Sequence, residues 1–178
     1  MSEFDAYSAR LLAFTAGRDP LAMQGEAAAT LGRLIEAVPD EALRRRPRPG
    51  KWSVVEILAH LAEDELVTSW RYRQMLASDG GPLAAFHQDL WAEWGAYDGW
   101  NPVEALGLFT LLRQANLRML RRLDESQWRR SGVHQERGPM TVADLARHMA
   151  GHDINHIEQI RAILGQELGL ASAGGGAG

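Results

Sequence analysis

Apolar residues recur every three or four positions along four long stretches of the chain, which is the spacing of an amphipathic helix. The stretches cover about residues 20–38, 53–77, 101–123 and 141–165, and a shorter apolar segment at 7–14 is a further candidate helix. No stretch shows the sustained alternation of Val, Ile or Thr with polar residues that a half-buried strand requires. The pattern therefore predicts an all-α protein.

Local signals mark where the long helices begin and end. Ser53-Val-Val-Glu56 has the form of a capping box, and Thr141-Val-Ala-Asp144 has the same form with Asp in place of Glu. Asn101-Pro102 places a capping side chain before a proline at the first helical position. Asp79-Gly80-Gly81-Pro82 ends the second long helix.

The connection between the second and third long helices has roughly twenty residues, more than the few that join antiparallel neighbours directly. We therefore expect a crossover here, and a four-helix bundle whose neighbours are not in sequential order. Residues 1–168 are expected to form a single domain. Residues 169–178 are almost entirely Gly, Ala and Ser, and we expect them to be disordered because they offer little to bury.

Composition limits the chemistry and the partners. The 178 residues include six His and no Cys, which excludes thiolate nucleophiles, iron–sulfur clusters and Cys-based zinc modules. The formal net charge of -4 provides no strongly cationic surface, so we expect a small-molecule substrate and no nucleic-acid partner. No run approaches the ~20 apolar residues of a membrane span, and the acidic N-terminus does not match a signal peptide. We therefore expect no membrane association and a cytoplasmic location.

Two histidines lie on the apolar stripe of the last long helix. His152 and His156 are four residues apart, so their rings stack one turn apart and two nitrogens can reach one cation at ~2.0–2.1 Å. Hydrogen-bonded core histidines are an equally open interpretation. Either way, two neutral imidazoles in a core need partners, because unsatisfied polar groups cost several kcal/mol to bury.

A third metal ligand has two candidates in the sequence. His60 lies on a flank of the second long helix, and His148 lies one turn before His152 but about 60° off the apolar stripe. We favour His60 and expect a surface or supporting role for His148. His87 and His134 lie in connections and are expected to be exposed.

Other residues lead to weaker hypotheses. The crossover contains an aromatic residue at every third position, namely Trp91, Trp94, Tyr97 and Trp100. These residues predict either a clamp that holds the crossover on the bundle or an aromatic wall around a site. The arginines at 44–48 are expected to be solvated, with the binding of an anionic cofactor as the alternative. Asp153 is expected at the surface or in contact with a loop rather than as a base, and Gln159 at the edge of the stripe is expected to hydrogen-bond within the pocket.

The central apolar stripes of two helices each contain one charge. Glu65 interrupts the stripe of the second long helix, and Arg113 interrupts that of the third. Because an unpaired buried charge is costly and a guanidinium–carboxylate pair offsets much of that cost, we predict that Glu65 and Arg113 pair inside the bundle.

The residues above also fall into motifs. These are Trp52-Ser53, Glu56, His60-Leu61 and Glu65, then Gly132, His134, Gly138 and Thr141, then His152-Asp153, His156 and Gln159. Over about residues 20–165 the chain resembles the DinB-like superfamily, whose branches include YfiT-type metal-dependent hydrolases and bacillithiol- and mycothiol-dependent transferases and isomerases. The most specific part is one histidine in HL-x-E combined with two in HD-x-x-H-x-x-Q.

The resemblance implies a fold, a metal and an assembly. It implies a four-helix bundle of up-down-down-up order with one long crossover, and a homodimer. It also implies a divalent metal ion, most commonly zinc or nickel, with His60, His152 and His156 as ligands.

Such a site is compatible with more than one activity. Three neutral imidazoles leave open positions on the ion, which is typical of catalytic sites, and water or a thiol bound there loses a proton easily. We therefore expect a metal-dependent enzyme, with transfer of a low-molecular-weight thiol slightly ahead of hydrolysis and no general base identified. The alternative from another class is a non-catalytic, stress-associated metal-binding or interaction protein.

Overall fold

The structure is a computed structural model, and it describes residues 3–167. The tail predicted to be disordered, residues 169–178, lies outside the described residues. Eight helices are present in the described part, in chain order: α1 Glu3–Phe14, α2 Pro20–Ile35, α3 Asp40–Arg44, α4 Val54–Ala77, α5 Gln88–Trp94, α6 Pro102–Leu120, α7 Glu125–Trp128 and α8 Val142–Glu167.

The predicted starts of the long helices are confirmed. Ser53 and Glu56 form both bonds of a capping box at α4, with the Ser53 amide donating to Glu56 Oε2 at 2.8 Å. The Asn101 side chain accepts the Val103 amide at 2.8 Å and caps α6, whose first residue is Pro102.

The four long helices form the predicted bundle with non-sequential neighbours. α4 packs against α6 and α8, and α2 packs against the same two helices, so the consecutive helices α2 and α4, like α6 and α8, are not among the closely packed pairs. The long connection of residues 78–101 joins the neighbours α4 and α6. Two buried apolar clusters fill the interior, one around Ile57, Phe109 and Ile160 and the other around Tyr72 and Leu145. The all-α class and the crossover predicted from the sequence are thus confirmed.

The N-terminal helix α1 also packs on α8. The two backbones approach so closely at Gly151 that a Cβ there would lie 2.2 Å from the carbonyl oxygen of Leu11. Only glycine fits this contact without a backbone shift.

A small sheet was not anticipated from the sequence. β1 (Gly81–Leu83) pairs in parallel with β2 (Ser131–His134), which pairs antiparallel with β3 (Gly138–Thr141). Strands of three or four residues are too short to show a periodic pattern, and β1 pairs with a segment about fifty residues away in the chain. The β2–β3 hairpin lies directly before α8 and holds residues 135–137 beside it.

The sheet also corrects the expectation for His134. This residue is 3% exposed because it lies on the covered face of β2, whereas its neighbour Val133, on the opposite face, is 46% exposed. Its Nδ1 accepts the backbone amides of Glu136 and Arg137 at 3.2 and 3.3 Å, so the ring shapes the hairpin turn.

The crossover aromatic residues divide into two pairs. Tyr97 is buried and donates its hydroxyl to Glu63 Oε2 at 2.6 Å, and Trp100 packs against the core, so this pair clamps the crossover to the bundle. Trp91 and Trp94 are 36% and 86% exposed. Among the described helices, none is long and apolar enough to cross a membrane.

The predicted pairing of Glu65 with Arg113 is confirmed, and a third residue joins it. Arg113 Nη2 lies 2.8 Å from Glu65 Oε2, and the two Nη atoms bind both carboxylate oxygens of Asp153 at 2.5 and 3.0 Å. Asp153 is 1% exposed, so the expectation that it lies at the surface was wrong. The two carboxylates outweigh the effect of burial and raise the pKa of Arg113, so the guanidinium stays charged.

Candidate metal centre

Three histidines meet where α4 packs against α8. His60 comes from α4, and His152 and His156 come from successive turns of α8. The Nε2 atom of His152 lies 3.3 Å from that of His60 and 3.1 Å from that of His156. All three side chains are buried. The structure thus brings together the three residues that the sequence analysis favoured.

The spacing of these nitrogens fits one bound cation. Nitrogens bound at ~2.0–2.1 Å to a tetrahedral ion lie about 3.4 Å apart, close to the two separations observed. Among the described residues, this is the one group of three or more His, Cys, Asp or Glu side chains with ligand atoms close enough to share an ion.

The protonation states fit a cation as well. Burial lowers the pKa of each ring, to about 3 for His156 and well below the usual value for His152, where the neighbouring imidazoles lower it further. Each ring is therefore neutral at pH 7 and carries one proton. His156 Nδ1 lies 3.0 Å from Gln159 Oε1, so donation to this oxygen leaves the Nε2 lone pair facing the other rings. The predicted hydrogen bond of Gln159 within the pocket is thus present.

Asp64 is the residue of this site that the sequence analysis missed. It lies one turn after His60 on α4 and is 8% exposed, and its Oδ2 is 3.6 Å from His152 Nδ1. A nearby carboxylate favours the tautomer with the proton on Nδ1, which again leaves a lone pair on Nε2. The sequence does show that Asp64 lies four residues after His60, on the same face of α4. It does not show that this face packs against α8.

The triad opens into a cavity of about 890 Å³. Its aromatic lining comes from Tyr7, Trp52 and Phe86, and the ring of Trp52 lies 5.0 Å from that of His60. The tryptophans of the crossover do not line it, so of the two interpretations of these residues the aromatic wall around this site is wrong. The cavity has room for a small molecule beside the triad.

His148 stays outside the triad. It is half-buried, and its Nε2 lies 2.7 Å from Arg137 Nη1. Burial, Arg137 and Arg71 lower the pKa of His148 to about 3. It therefore supports the hairpin side of the cavity, as the sequence analysis favoured. His87 is exposed at the rim, as expected.

The arginines at 44–48 are largely engaged by carboxylates. Arg44 pairs with Asp40 at 2.6 Å, Arg45 with Glu41 at 2.8 Å, and Arg46 with Glu56 at 2.5 Å. These arginines do not line the cavity, and Arg44, Arg45 and Arg46 are exposed, as the solvated interpretation predicted.

Comparison with known proteins places this geometry in a family. Residues 25–160 match the DinB superfamily. A protein of Oceanobacillus iheyensis named "Putative metal-dependent hydrolase" is 30% identical over 142 residues, which are 78% of this chain and 80% of that protein.

Two solved structures share the fold. YfiT from Bacillus subtilis, described as "a probable metal-dependent hydrolase with an unusual four-helix bundle topology", superposes with a TM-score of 0.79 at 22% identity, over 84% of this chain and 86% of YfiT. A mycothiol-dependent maleylpyruvate isomerase superposes with a TM-score of 0.61 at 13% identity, over 84% of this chain and 66% of the isomerase. The bundle topology, the family match over residues 25–160 and the sequence relative lead to one conclusion: the chain belongs to the DinB superfamily.

Proposed function

We propose that this protein is a metal-dependent enzyme that hydrolyses a small molecule, with His60, His152 and His156 holding one divalent ion, zinc or nickel. The observation that carries the proposal is the convergence of three neutral, buried imidazoles on the floor of an open cavity. The hydrolase names of the sequence relatives support the choice of reaction.

The ion and the protein would contribute different parts of the chemistry. A divalent ion on three neutral imidazoles would supply Lewis-acid chemistry and lower the pKa of a water or thiol that binds it. Gln159 would hold the proton on His156 Nδ1, and Asp64 would favour the proton on His152 Nδ1, so both rings keep their Nε2 lone pairs for the ion.

Asp64 would also act as the proton acceptor. Its carboxylate lines the cavity beside the triad and forms no ion pair with an Arg or Lys in the described part of the chain. Hydrolysis requires a group that takes a proton from the attacking water, and a carboxylate at this place can take it.

Thiol transfer is a second candidate. The likeness of the fold to that of a mycothiol-dependent isomerase supports it, and a cavity of about 890 Å³ has room for a thiol cosubstrate beside an electrophile. The chain has no Cys, so the thiol would have to be a cosubstrate.

Metal analysis tests the ligand set first. Protein purified without a polyhistidine tag should carry one divalent ion per chain, and His152→Ala should lose it because two imidazoles bind far more weakly than three. His148→Ala is the matched control on the same helix and should keep the ion. A full metal content in the first variant together with its loss in the second would mean that the triad is wrong.

Activity assays then separate the reactions. The metal-loaded protein is screened against activated esters and amides, and separately with a low-molecular-weight thiol and an aromatic electrophile. Asp64→Asn is assayed at saturating metal, because loss of this carboxylate also weakens the support of His152, and it should lower kcat by about 100-fold or more. Asp98→Asn, at an exposed position outside the cavity, is the control and should leave kcat unchanged. Stoichiometric metal without turnover in either screen would favour a non-catalytic metal-binding protein.

We also propose that the protein is a homodimer in the cytoplasm. An exposed apolar cluster on α5, formed by Leu90, Trp91 and Trp94, supports the dimer, because tryptophan is enriched at interfaces. Sedimentation at micromolar concentration tests this, and Trp94→Ser should shift a dimer towards monomer. A monomeric wild-type protein would leave these side chains without an interface role.

A further inference from the structure

Two arginines line the cavity on the side away from His60. Arg71 lies eleven residues beyond His60 on α4, which corresponds to about 16 Å along the helix axis. Arg137 extends from the β2–β3 hairpin and contacts His148, whose ring stacks on that of His152 with 6.2 Å between centroids. The arginines therefore border a region one helix turn and more away from the triad.

Arg71 is buried in a position that fixes its guanidinium without neutralising it. The residue is 5% exposed, its Nη2 donates to the Ala84 carbonyl at 2.7 Å, and its Cζ lies 5.8 Å from the centre of the Phe86 ring. Its Nε is buried and has no hydrogen-bond partner among the described residues. No carboxylate of the described chain lies within ion-pair distance of it.

A charge in such a position calls for an anionic partner. A buried guanidinium without a paired carboxylate is unfavourable, and a bound oxyanion would recover much of that cost through charge-assisted hydrogen bonds. Burial lowers the pKa of Arg71, and Arg137 adds to this effect, while the charges of Asp64 and Glu136 offset only part of it.

The charges that line the cavity favour an anionic ligand once a divalent metal ion occupies the histidine triad. Among the described residues, the charged side chains of the lining other than histidine are three basic and three acidic, and they are Lys51, Arg71, Arg137, Asp64, Asp89 and Glu136. They balance one another, so a divalent ion on the triad makes the cavity positive. Asp89 and Glu136 are exposed to solvent, whereas Arg71 is not, and solvent screens exposed charges more strongly.

We propose that Arg71 and Arg137 form a binding subsite for an oxyanion group, a carboxylate or a phosphate, on the substrate whose reacting end lies at the histidine triad. The inference rests on the proposed function for the identity of the ligand, while the subsite itself consists of residues outside the triad. It defines the substrate class as small molecules with an anionic group separated from the reacting bond by several atoms. Planar guanidinium groups suit this task because they bind carboxylate and phosphate through paired hydrogen bonds.

Calorimetric titration tests the subsite without measuring turnover. Two forms of the full-length protein are titrated: the zinc-loaded wild type and the His152→Ala variant. Each is titrated with inorganic phosphate and, separately, with malonate. Arg71→Met and Arg137→Met should each weaken binding of at least one anion by about tenfold or more, since a hydrogen bond to a charged group is worth roughly that factor. Arg147→Met, which removes an exposed arginine of α8, is the matched control and should stay within about twofold of wild type.

The outcomes separate this proposal from the metal site. Retained anion binding in His152→Ala, weakened by loss of the ion's charge, supports the subsite even if the triad proves to hold no metal. Preference for phosphate or for malonate identifies the oxyanion. Wild-type affinity for both anions in Arg71→Met and Arg137→Met overturns the proposal, as does binding that disappears in His152→Ala alone. If Arg71→Met fails to fold by circular dichroism, Arg137→Met decides the question, because Arg137 lies at a half-buried turn.

Discussion

Replacing Arg113 with methionine tests the buried ionic cluster that joins α4, α6 and α8. Methionine fills much of the space of the arginine stem but has no charge and no hydrogen-bond donor. The wild-type guanidinium binds Glu65 at 2.8 Å and Asp153 at 2.5 and 3.0 Å, and both carboxylates are 1% exposed. The variant therefore leaves two carboxylates buried with no cation between them.

The expected loss in the free energy of unfolding follows from the two carboxylates that lose their cation. Removing one member of a buried pair destabilises a protein by ~3–5 kcal/mol, and we expect the upper half of this range at pH 8 because two carboxylates lose their partner. Asn116 still donates to Glu65 Oε1 at 2.7 Å in the variant, so Glu65 keeps one hydrogen bond.

The cost should depend on pH in a definite direction. Burial already raises the pKa of Asp153 to about 6 in the wild type, although Arg113 lowers it, and loss of Arg113 raises it further. The folded variant then binds a proton that the unfolded chain, with an Asp pKa of about 3.9, has released. The variant therefore loses stability as pH rises through the folded pKa, and its deficit is smaller at pH 5 than at pH 8.

Urea denaturation at pH 5, 7 and 8 measures both effects. Arg118→Met is the matched control, because Arg118 is exposed on the same helix, and its cost should stay within about 0.5 kcal/mol. A cost for Arg113→Met below ~1 kcal/mol at pH 8, or one that does not change with pH, would refute the reasoning. It would mean that the carboxylates reach water.

Three further outcomes are expected. Gly151→Ala should cost ~1–3 kcal/mol in urea denaturation because its Cβ would meet the backbone of α1 at 2.2 Å, whereas Gly107→Ala, where a Cβ meets nothing within 4 Å, should gain about 0.5–1 kcal/mol. His148 has a pKa of about 3 when folded and about 6.5 when unfolded, so the unfolded chain binds more protons between these values and stability falls as pH drops; His148→Gln should reduce that slope by up to ~1.4 kcal/mol per pH unit. Tyr97→Phe should lower the free energy of unfolding by about 1–3 kcal/mol, since the hydroxyl donates to the Glu63 carboxylate, and an unchanged value would mean that water replaces this bond.

Much of the fold could be predicted from local patterns. The capping box at Ser53, the Asn101-Pro102 start and the apolar periodicity act within a few residues, so they located α4 and α6 directly. The Glu65–Arg113 pair could also be inferred, because a charge in the middle of an apolar stripe must find an opposite charge wherever it is buried.

The histidines of the candidate site were predictable, and their surroundings less so. The spacing of His152 and His156 is a property of one helix, and His60 was favoured as their partner because His148 lies off the apolar stripe, a choice that the resemblance to a family supported. Asp64 belongs to the site through His152 of α8, and Arg71 through Ala84 in the segment after β1. No local pattern in the sequence shows that these segments pack against α4.

The sequence by itself determined the long helices, their caps, the histidines of the candidate site and the exclusion of cysteine chemistry, because these depend on residue identity and short-range spacing. The tertiary structure alone decided that Asp153 is buried, that His134 belongs to a strand, and that Arg71 lines a cavity with no paired carboxylate from residues 6–166. The physical reason is that burial, strand pairing and charge compensation depend on which distant segments are neighbours, and the pattern of one segment does not contain that information.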